Sequence, residues 1–308
     1  MAGHEASPRP GSQPRLMTVG TEYTCLAESG GRWEILSAGH LSPQEARDEL
    51  AHRFRMMEDA AADDDARQEI VAAYELLDRV RRDELRVAGL RYRVGRLERF
   101  CRVDKDGPEL PLPTDPAPEA GAGSAERAPR RVIGAINVNA RTGTEAALLR
   151  YELRNKTPAD GTPDMQDDAL RALDTHPRVV IMPTEFALAE QEPNGTWTRR
   201  RGLKPTPQAV RDELADMIRF ETGARHPDPD KARGAAMLDL PTPGPERAAE
   251  LCAAADLIDR DRPADFRVLG HHYRVTRTEQ LIRLGADGPE PPRPSDPDPE
   301  GPPAADDD

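Results

Sequence analysis

Three stretches of the chain occur twice, in the same order. Residues 14–28 match 177–190 with one residue deleted, 42–50 match 206–214, and 86–118 match 267–299. The last pair is identical at 18 of 33 positions without a gap, and the offset grows from 164 to 181, so the second copy carries an insertion of 17 residues within 222–247. The pattern predicts a tandem duplication, and two similar sequences are expected to fold into two similar units.

Each copy has the same predicted order of elements, β-β-α-α-β-β. Asn194-Gly195 between two β-rich runs indicates a hairpin, because both residues tolerate positive φ. Ser42-Pro43 followed by Glu45 is typical of a helix start with a capping box. A closing hairpin is expected to turn at Gly89 in the first copy and at Gly270 in the second. We therefore expect an α+β fold, with an antiparallel sheet covered by helices on one face.

Two further helices are predicted between the copies, over 144–154 and 165–173, the second capped by Asp164. They could begin the second unit or bridge the two units.

Proline and acidic residues are concentrated in particular segments. The net charge of the chain is −13, and residues 287–308 hold eight acids, one arginine and eight prolines. Such segments bury little apolar surface and are expected to be extended or disordered. The predicted division is a disordered tail (1–13), repeat unit 1 (14–106), a Pro-rich linker (107–129), repeat unit 2 with leading helices (130–286) and a disordered acidic Pro-rich tail (287–308).

The closing block of each copy has the sequence pattern RVxGxxYRVxRxE, followed in the second copy by DGPEPPRPSDPDP. This block, together with DALRALDTHPRVVIMPTEFALAE at 168–190, resembles a family of uncharacterised actinobacterial, Streptomyces-type proteins classed as a domain of unknown function. The resemblance covers the chain from about residue 14, although the first copy lacks the leading helix that precedes the second. It implies a soluble bacterial protein and supplies no activity, ligand or catalytic residue.

Familiar enzyme and metal motifs are absent from the sequence. There is no GxGxxG after a strand, no GxxxxGK[ST], no GxSxG, no CxxC and no HExxH. His271-His272 is expected at a hairpin turn with its side chains diverging. Cys101 aligns with Ile282 and Cys252 with Val71, which indicates buried structural thiols. The sequence therefore predicts no metal site and no cofactor.

No apolar run reaches 18 residues and the first residues lack an apolar stretch, so we expect no membrane association and no secretion signal. The three cysteines cannot form a disulfide framework, which favours a cytoplasmic location.

Both copies retain the same polar residues in the closing strand. The candidate ligand-binding residues are Tyr92, Arg93, Arg96, Glu98, Tyr273, Arg274, Arg277 and Glu279. One interpretation is a lattice of structural ion pairs. The other is an arginine-lined groove for a carboxylate or phosphate, because a guanidinium group binds either anion bidentately.

The leading functional hypothesis is a non-enzymatic, pseudo-two-fold binding or interaction module whose partner is another protein or a small anionic ligand. In that hypothesis the Pro-rich acidic segments are either spacers or extended ligands for a groove. The alternative is a hydrolase or transferase acting on an anionic substrate, with Arg96 or Arg277 beside Glu98 or Glu279 as base. A nucleic-acid-linked regulator is a weaker alternative, because the net charge of −13 opposes binding to phosphates.

Overall fold

The computed structural model describes residues 15–116, 135–136, 143–153, 161–200, 202–220 and 244–299. The strands are β1 (Arg15–Ser29), β2 (Arg32–His40), β3 (Glu84–Val87), β4 (Leu90–Asp104), β5 (Gly107–Pro108), β6 (Ala135–Ile136), β7 (Arg178–Gln191), β8 (Trp197–Arg199), β9 (Asp265–Val268) and β10 (His271–Leu284). The helices are α1 (Pro43–Glu58), α2 (Asp64–Leu77), α3 (Thr144–Leu153), α4 (Pro163–Thr175), α5 (Pro207–Phe220) and α6 (Pro245–Asp261). These elements, with antiparallel strand pairing, confirm the α+β class. The predicted insertion lies mostly outside the described residues.

The chain divides into two compact units. Unit I comprises Leu16–Phe100, Val132–Met182 and Glu279–Asp308, and unit II comprises Met1–Arg15, Cys101–Arg131 and Pro183–Thr278. The long strands β4, β7 and β10 each begin in one unit and end in the other. Unit I thus combines most of the stretch predicted as repeat unit 1 with both the beginning and the end of the stretch predicted as repeat unit 2. Unit II combines the middle of that second stretch with the end of the first.

The sheet of unit I has the strand order β6-β2-β1-β4-β10. Glu279 of β10 lies opposite Phe100 of β4, and Ile282 lies opposite Leu97. In unit II, β8 pairs with β7, β9 with β10 and β5 with β4. The hairpins predicted at Gly89 and Gly270 are both present, as β3–β4 and β9–β10.

Helices α1 and α2 cover one face of the unit I sheet because their apolar residues recur at helical spacing. Leu50 and Phe54 of α1 and Ile70 and Leu77 of α2 pack in one cluster with Tyr92 of β4. Helix α1 begins as predicted, since Ser42 Oγ accepts a hydrogen bond from Glu45 N–H at 3.1 Å. The Glu45 carboxylate in turn accepts one from Leu41 N–H at 2.7 Å.

The two predicted intervening helices are present, as α3 and α4, and both belong to unit I. Leu149 of α3 packs with Phe100 and Leu281. The cap of α4 differs from the prediction, because Thr162 and not Asp164 accepts the hydrogen bond of the first turn. The sequence Thr162-Pro163 places the proline at the first helical position, and the residue before it is therefore the cap.

Unit II repeats the helix-on-sheet arrangement. Leu214 and Ile218 of α5 and Leu251 and Ile258 of α6 pack in one cluster with Val275 of β10. Within the described ranges, no helix is both long and apolar enough to cross a membrane.

Candidate functional site

Two Pro-rich segments pack against the arginines of the closing strands. We name residues 107–116 the first closing segment and residues 287–299 the second closing segment. The second closing segment lies in unit I, where Arg96 N–H donates to Glu290 O at 2.8 Å and Glu290 N–H donates to Arg283 O at 2.9 Å. The expectation of disorder is therefore not supported for 287–299, while residues 300–308 lie outside the described part of the chain.

Arg96 is the centre of the unit I site. Its Nε lies 3.0 and 3.2 Å from the two carboxylate oxygens of Asp296, and its Nη1 donates to Glu98 Oε1 at 2.6 Å. Its Nη2 donates to Thr21 Oγ1 at 2.8 Å. The side chains of Arg96 and Asp296 are only 6% and 4% exposed, so this pair is shielded from water.

Glu98 is surrounded by guanidinium groups. Arg283 Nε donates to its Oε2 at 3.0 Å, and Arg293 Nη2 donates to its Oε1 at 2.9 Å. Burial alone raises the pKa of Glu98, but the charges of Arg283, Arg96 and Arg293 outweigh burial and lower it. A carboxylate held ionised in this way is a poor general base, because it does not accept a proton near neutral pH.

Arg93 holds the start of the second closing segment. Its Nη1 donates to Pro289 O at 2.7 Å and its Nη2 to Asp287 Oδ2 at 2.8 Å, while its Nε donates to Glu84 at 2.8 Å. The guanidinium lies 5.3 Å from the ring centre of Trp33, which is within the range of a cation–π contact. Arg93 therefore joins this segment to a buried tryptophan.

The first closing segment is bound in unit II by contacts of the same kind. Arg277 N–H donates to Glu109 O at 2.9 Å, and Arg277 Nε donates to Asp115 Oδ1 at 3.2 Å. Arg274 Nη1 donates to Pro108 O at 3.1 Å, and its guanidinium lies 4.8 Å from the ring centre of Trp197. At the alignment offset of 181, Pro108, Glu109, Asp115, Arg274 and Arg277 are identical to their unit I counterparts. Trp197 matches Trp33 at the offset of 164.

The structure separates the predicted tyrosines from the arginines they were grouped with. Tyr92 packs edge-on against Phe54 at 4.9 Å between ring centres, and burial raises the pKa of its hydroxyl. Tyr273 lies 5.9 Å from Phe266 and packs against the unit II core. Glu279 is buried on β10 in unit I. Arg93, Arg96 and Glu98 are thus brought together in unit I, and Arg274 and Arg277 in unit II.

The histidines and the cysteine considered as metal ligands or nucleophiles contact other protein groups. His271 Nδ1 lies 2.6 Å from Glu190 Oε1, and His272 Nε2 lies 2.6 Å from Asp265 Oδ1. No group of three metal-ligating side chains occurs among the described residues. Cys25 Sγ donates to Ala46 O at 3.1 Å, and burial raises the pKa of its thiol to about 12.

Sequence reasoning missed the acidic partners of the arginines. These partners are Asp287, Glu290, Asp296, Glu109 and Asp115, which all belong to the closing segments. The repeat itself contained the signal, because DGPE and the later Asp-Pro recur in both copies. The proline and acid content of these segments predicts an extended or disordered chain, and their recurrence alone does not indicate which residues they contact.

A small cavity of about 160 Å³ lies between α4 and the second closing segment. Its lining includes Asp168, Thr175 and His176 on one side and Glu290 and Arg293 on the other. Asp168 also fixes the segment, since its Oδ2 accepts a hydrogen bond from Ser295 N–H at 2.9 Å. The second closing segment therefore lies between this cavity wall and the arginines that it contacts, and Arg293 of the segment lines the cavity itself.

Comparisons with known proteins place the chain in a family without assigning an activity. No curated protein matches it, and no solved structure does. A family model described as a family of unknown function (DUF5954) matches residues 1–299, almost the whole chain. The protein therefore belongs to the DUF5954 family, whose function is unknown.

Proposed function

We propose that this protein is a non-enzymatic interaction module whose arginine sites bind extended, acidic, proline-rich segments. The observation that supports the proposal is the pairing of Arg96 with Asp296 and of Arg277 with Asp115, each with the same backbone hydrogen bond from the arginine. The proposal includes the tandem duplication, the actinobacterial origin and the cytoplasmic location expected from the sequence.

Proline-rich segments are suited to this kind of recognition. Their backbone is already extended, so binding orders fewer degrees of freedom than it would for a flexible peptide. Proline carbonyls and aspartate carboxylates offer acceptors that a guanidinium group binds well. In this structure Arg93 uses the carbonyl of Pro289, and Arg96 uses the carboxylate of Asp296.

The enzyme alternative has less support at the same residues. Its base would be Glu98 or Glu279, and the guanidinium groups around Glu98 hold that carboxylate ionised. The nucleic-acid alternative would require phosphates to displace the carboxylates that already pair with Arg93 and Arg96. We therefore favour a protein segment as the ligand.

The test uses the full chain and a labelled peptide with the sequence of residues 287–299. In the wild type the chain's own segment competes at a high effective concentration, so the peptide should bind weakly. The double substitution Asp296→Asn and Asp298→Asn weakens the internal segment and should raise the peptide's affinity about tenfold or more, as measured by fluorescence anisotropy.

The matched control is a peptide in which Asn and Gln replace the four acidic residues at 287, 290, 296 and 298. This peptide should not bind, because it offers no carboxylates to the arginines. If the labelled acidic peptide fails to bind a double variant that retains a wild-type circular dichroism spectrum, the arginine sites are structural ion pairs only.

A further inference from the structure

A second anion contact of the second closing segment lies at the start of α1 in unit I. Asp298 Oδ1 accepts a hydrogen bond from Gln44 N–H at 3.1 Å, and its Oδ2 is bonded to Arg47 Nη2. Arg81 Nη2 donates to Asp298 O at 3.1 Å. Arg47 also pairs with Asp83 at 3.2 Å. The helix N-terminus and two arginines therefore hold one aspartate, which is only 11% exposed.

Unit II has the same donors at the matching positions. In the sequence alignment Gln208, Arg211 and Arg262 correspond to Gln44, Arg47 and Arg81. Gln208 and Arg211 lie in the first turns of α5, and Arg262 follows the last residue of α6.

The two carboxylates that pair with Arg47 in unit I, those of Asp83 and Asp298, have alanine at the matching positions of unit II. Asp83 corresponds to Ala264, and the match is supported by equivalent hydrogen bonds, from Val94 N–H to Asp83 O and from Val275 N–H to Ala264 O, each at 2.8 Å. Asp298 corresponds to Ala117, which lies outside the described residues but has no carboxylate in any conformation. Unit II has thus kept the cationic donors and lost two negative charges.

Within the described part of the chain, the hydrogen-bond partners of Arg211 are neutral. Its Nε donates to Pro263 O at 2.8 Å, and its Nη1 donates to Gln208 Oε1 at 3.3 Å. Among the described residues, no carboxylate lies within 4.0 Å of a guanidinium nitrogen of either Arg211 or Arg262. Burial and the positive charge of Arg262 lower the pKa of Arg211, and a bound anion would relieve both effects.

Each unit has an equivalent aspartate beside these donors, so this aspartate does not distinguish the two units. Asp212 accepts a hydrogen bond from Gln208 Nε2 at 2.7 Å, and in unit I Asp48 accepts one from Gln44 Nε2 at the same distance. Because Asp298 is bound in unit I although Asp48 is present, Asp212 does not prevent an anion from binding in unit II.

We propose that Arg211, Arg262 and the N-terminus of α5 form a binding site for an oxyanion supplied from outside the chain. The ligand is a carboxylate or a phosphate with the position that Asp298 has in unit I. This inference deepens the proposed interaction function and rests on it, since the expected natural source is an acidic residue of an extended partner segment.

The test is isothermal titration calorimetry of the full wild-type chain at low ionic strength. The probes are inorganic phosphate and an acetylated peptide with the sequence of residues 294–299, and the control peptide has Asn in place of both aspartates. Arg211→Gln should weaken binding of the acidic peptide about tenfold or more, as expected for losing a charge-assisted hydrogen bond. Ala264→Asp restores the internal carboxylate found in unit I and should also weaken binding.

The control variant is Arg199→Gln, which removes an exposed arginine of unit II and should leave the affinity unchanged. Binding of phosphate alone, lost in Arg211→Gln, would identify a small oxyanion as the source of the ligand. Equal affinity in wild type, Arg211→Gln and Ala264→Asp, or no binding of either probe, would overturn the inference. Failure of the proposed function would appear separately, as failure of the 287–299 peptide to bind the Asp296 and Asp298 double variant.

Discussion

Replacing Asp296 with asparagine should destabilise unit I strongly. The substitution keeps the shape of the side chain and removes its charge, so that Arg96 loses one of its two carboxylate partners. The side chains of Arg96 and Asp296 are both more than nine-tenths buried, and water therefore cannot compensate for the lost partner. Breaking a buried ion pair by removing one member costs about 3–5 kcal/mol.

The expected loss lies at the lower end of this range. Glu98 remains 2.6 Å from Arg96 Nη1 and still balances part of its charge. We therefore expect the free energy of unfolding of unit I to fall by about 3 kcal/mol. That loss is a large fraction of the 5–15 kcal/mol, roughly, that is typical of folded proteins.

The assay is urea unfolding followed by tryptophan fluorescence. The chain has two tryptophans, Trp33 in unit I and Trp197 in unit II, so a Trp197→Phe background reports on unit I alone. The matched control is Glu75→Gln, which removes an exposed ion pair with Arg79 and should change the stability by less than about 1 kcal/mol. If Asp296→Asn and Glu75→Gln have the same small effect, Asp296 does not hold the second closing segment in place.

Three further predictions concern Gly288, the cysteines and Glu98. Gly288 has φ +127°, and an added Cβ would lie 2.7 Å from Trp33 Nε1, so Gly288→Ala should lower the urea midpoint and shift the Trp33 emission; an unchanged spectrum and midpoint would contradict this. Cys25, with its raised pKa, should react with a thiol reagent only after unfolding, whereas the half-buried Cys252 should react in the native protein. The folded-state pKa of Glu98 is lowered, so its ionised form stabilises the fold above its ordinary pKa and this contribution is lost as the pH falls through the lowered value. The stability difference between wild type and Glu98→Gln should therefore shrink between about pH 7 and about pH 3 in urea titrations, and a constant difference would refute the assigned pairing.

The sequence predicted the secondary structure well because the signals were local. Ser42 and Pro43 define the start of α1, and the apolar spacing of Leu50 and Phe54 defines its buried face. The repeat also identified the arginines that contact the closing segments, since Arg93 and Arg96 recur as Arg274 and Arg277. These features depend on residues within a few positions of one another.

The partners of those arginines could not be found in the same way. Asp296 is 200 residues from Arg96, and no local pattern connects them. Composition also does not reveal the ion pairs and backbone hydrogen bonds that attach residues 287–299 to the fold. The division of each long strand between two units is likewise a tertiary feature that periodicity does not reveal.

Amide hydrogen exchange at Glu290 and Glu109 tests the central claim most directly. The claim is that the acidic proline-rich segments are bound parts of the fold, with Glu290 N–H bonded to Arg283 O at 2.9 Å and Glu109 N–H bonded to Arg102 O at 2.8 Å. We predict that both amides exchange about a thousandfold more slowly than in an unstructured peptide, which corresponds to an opening free energy of about 4 kcal/mol. Exchange of both amides at the unstructured rate would contradict the account.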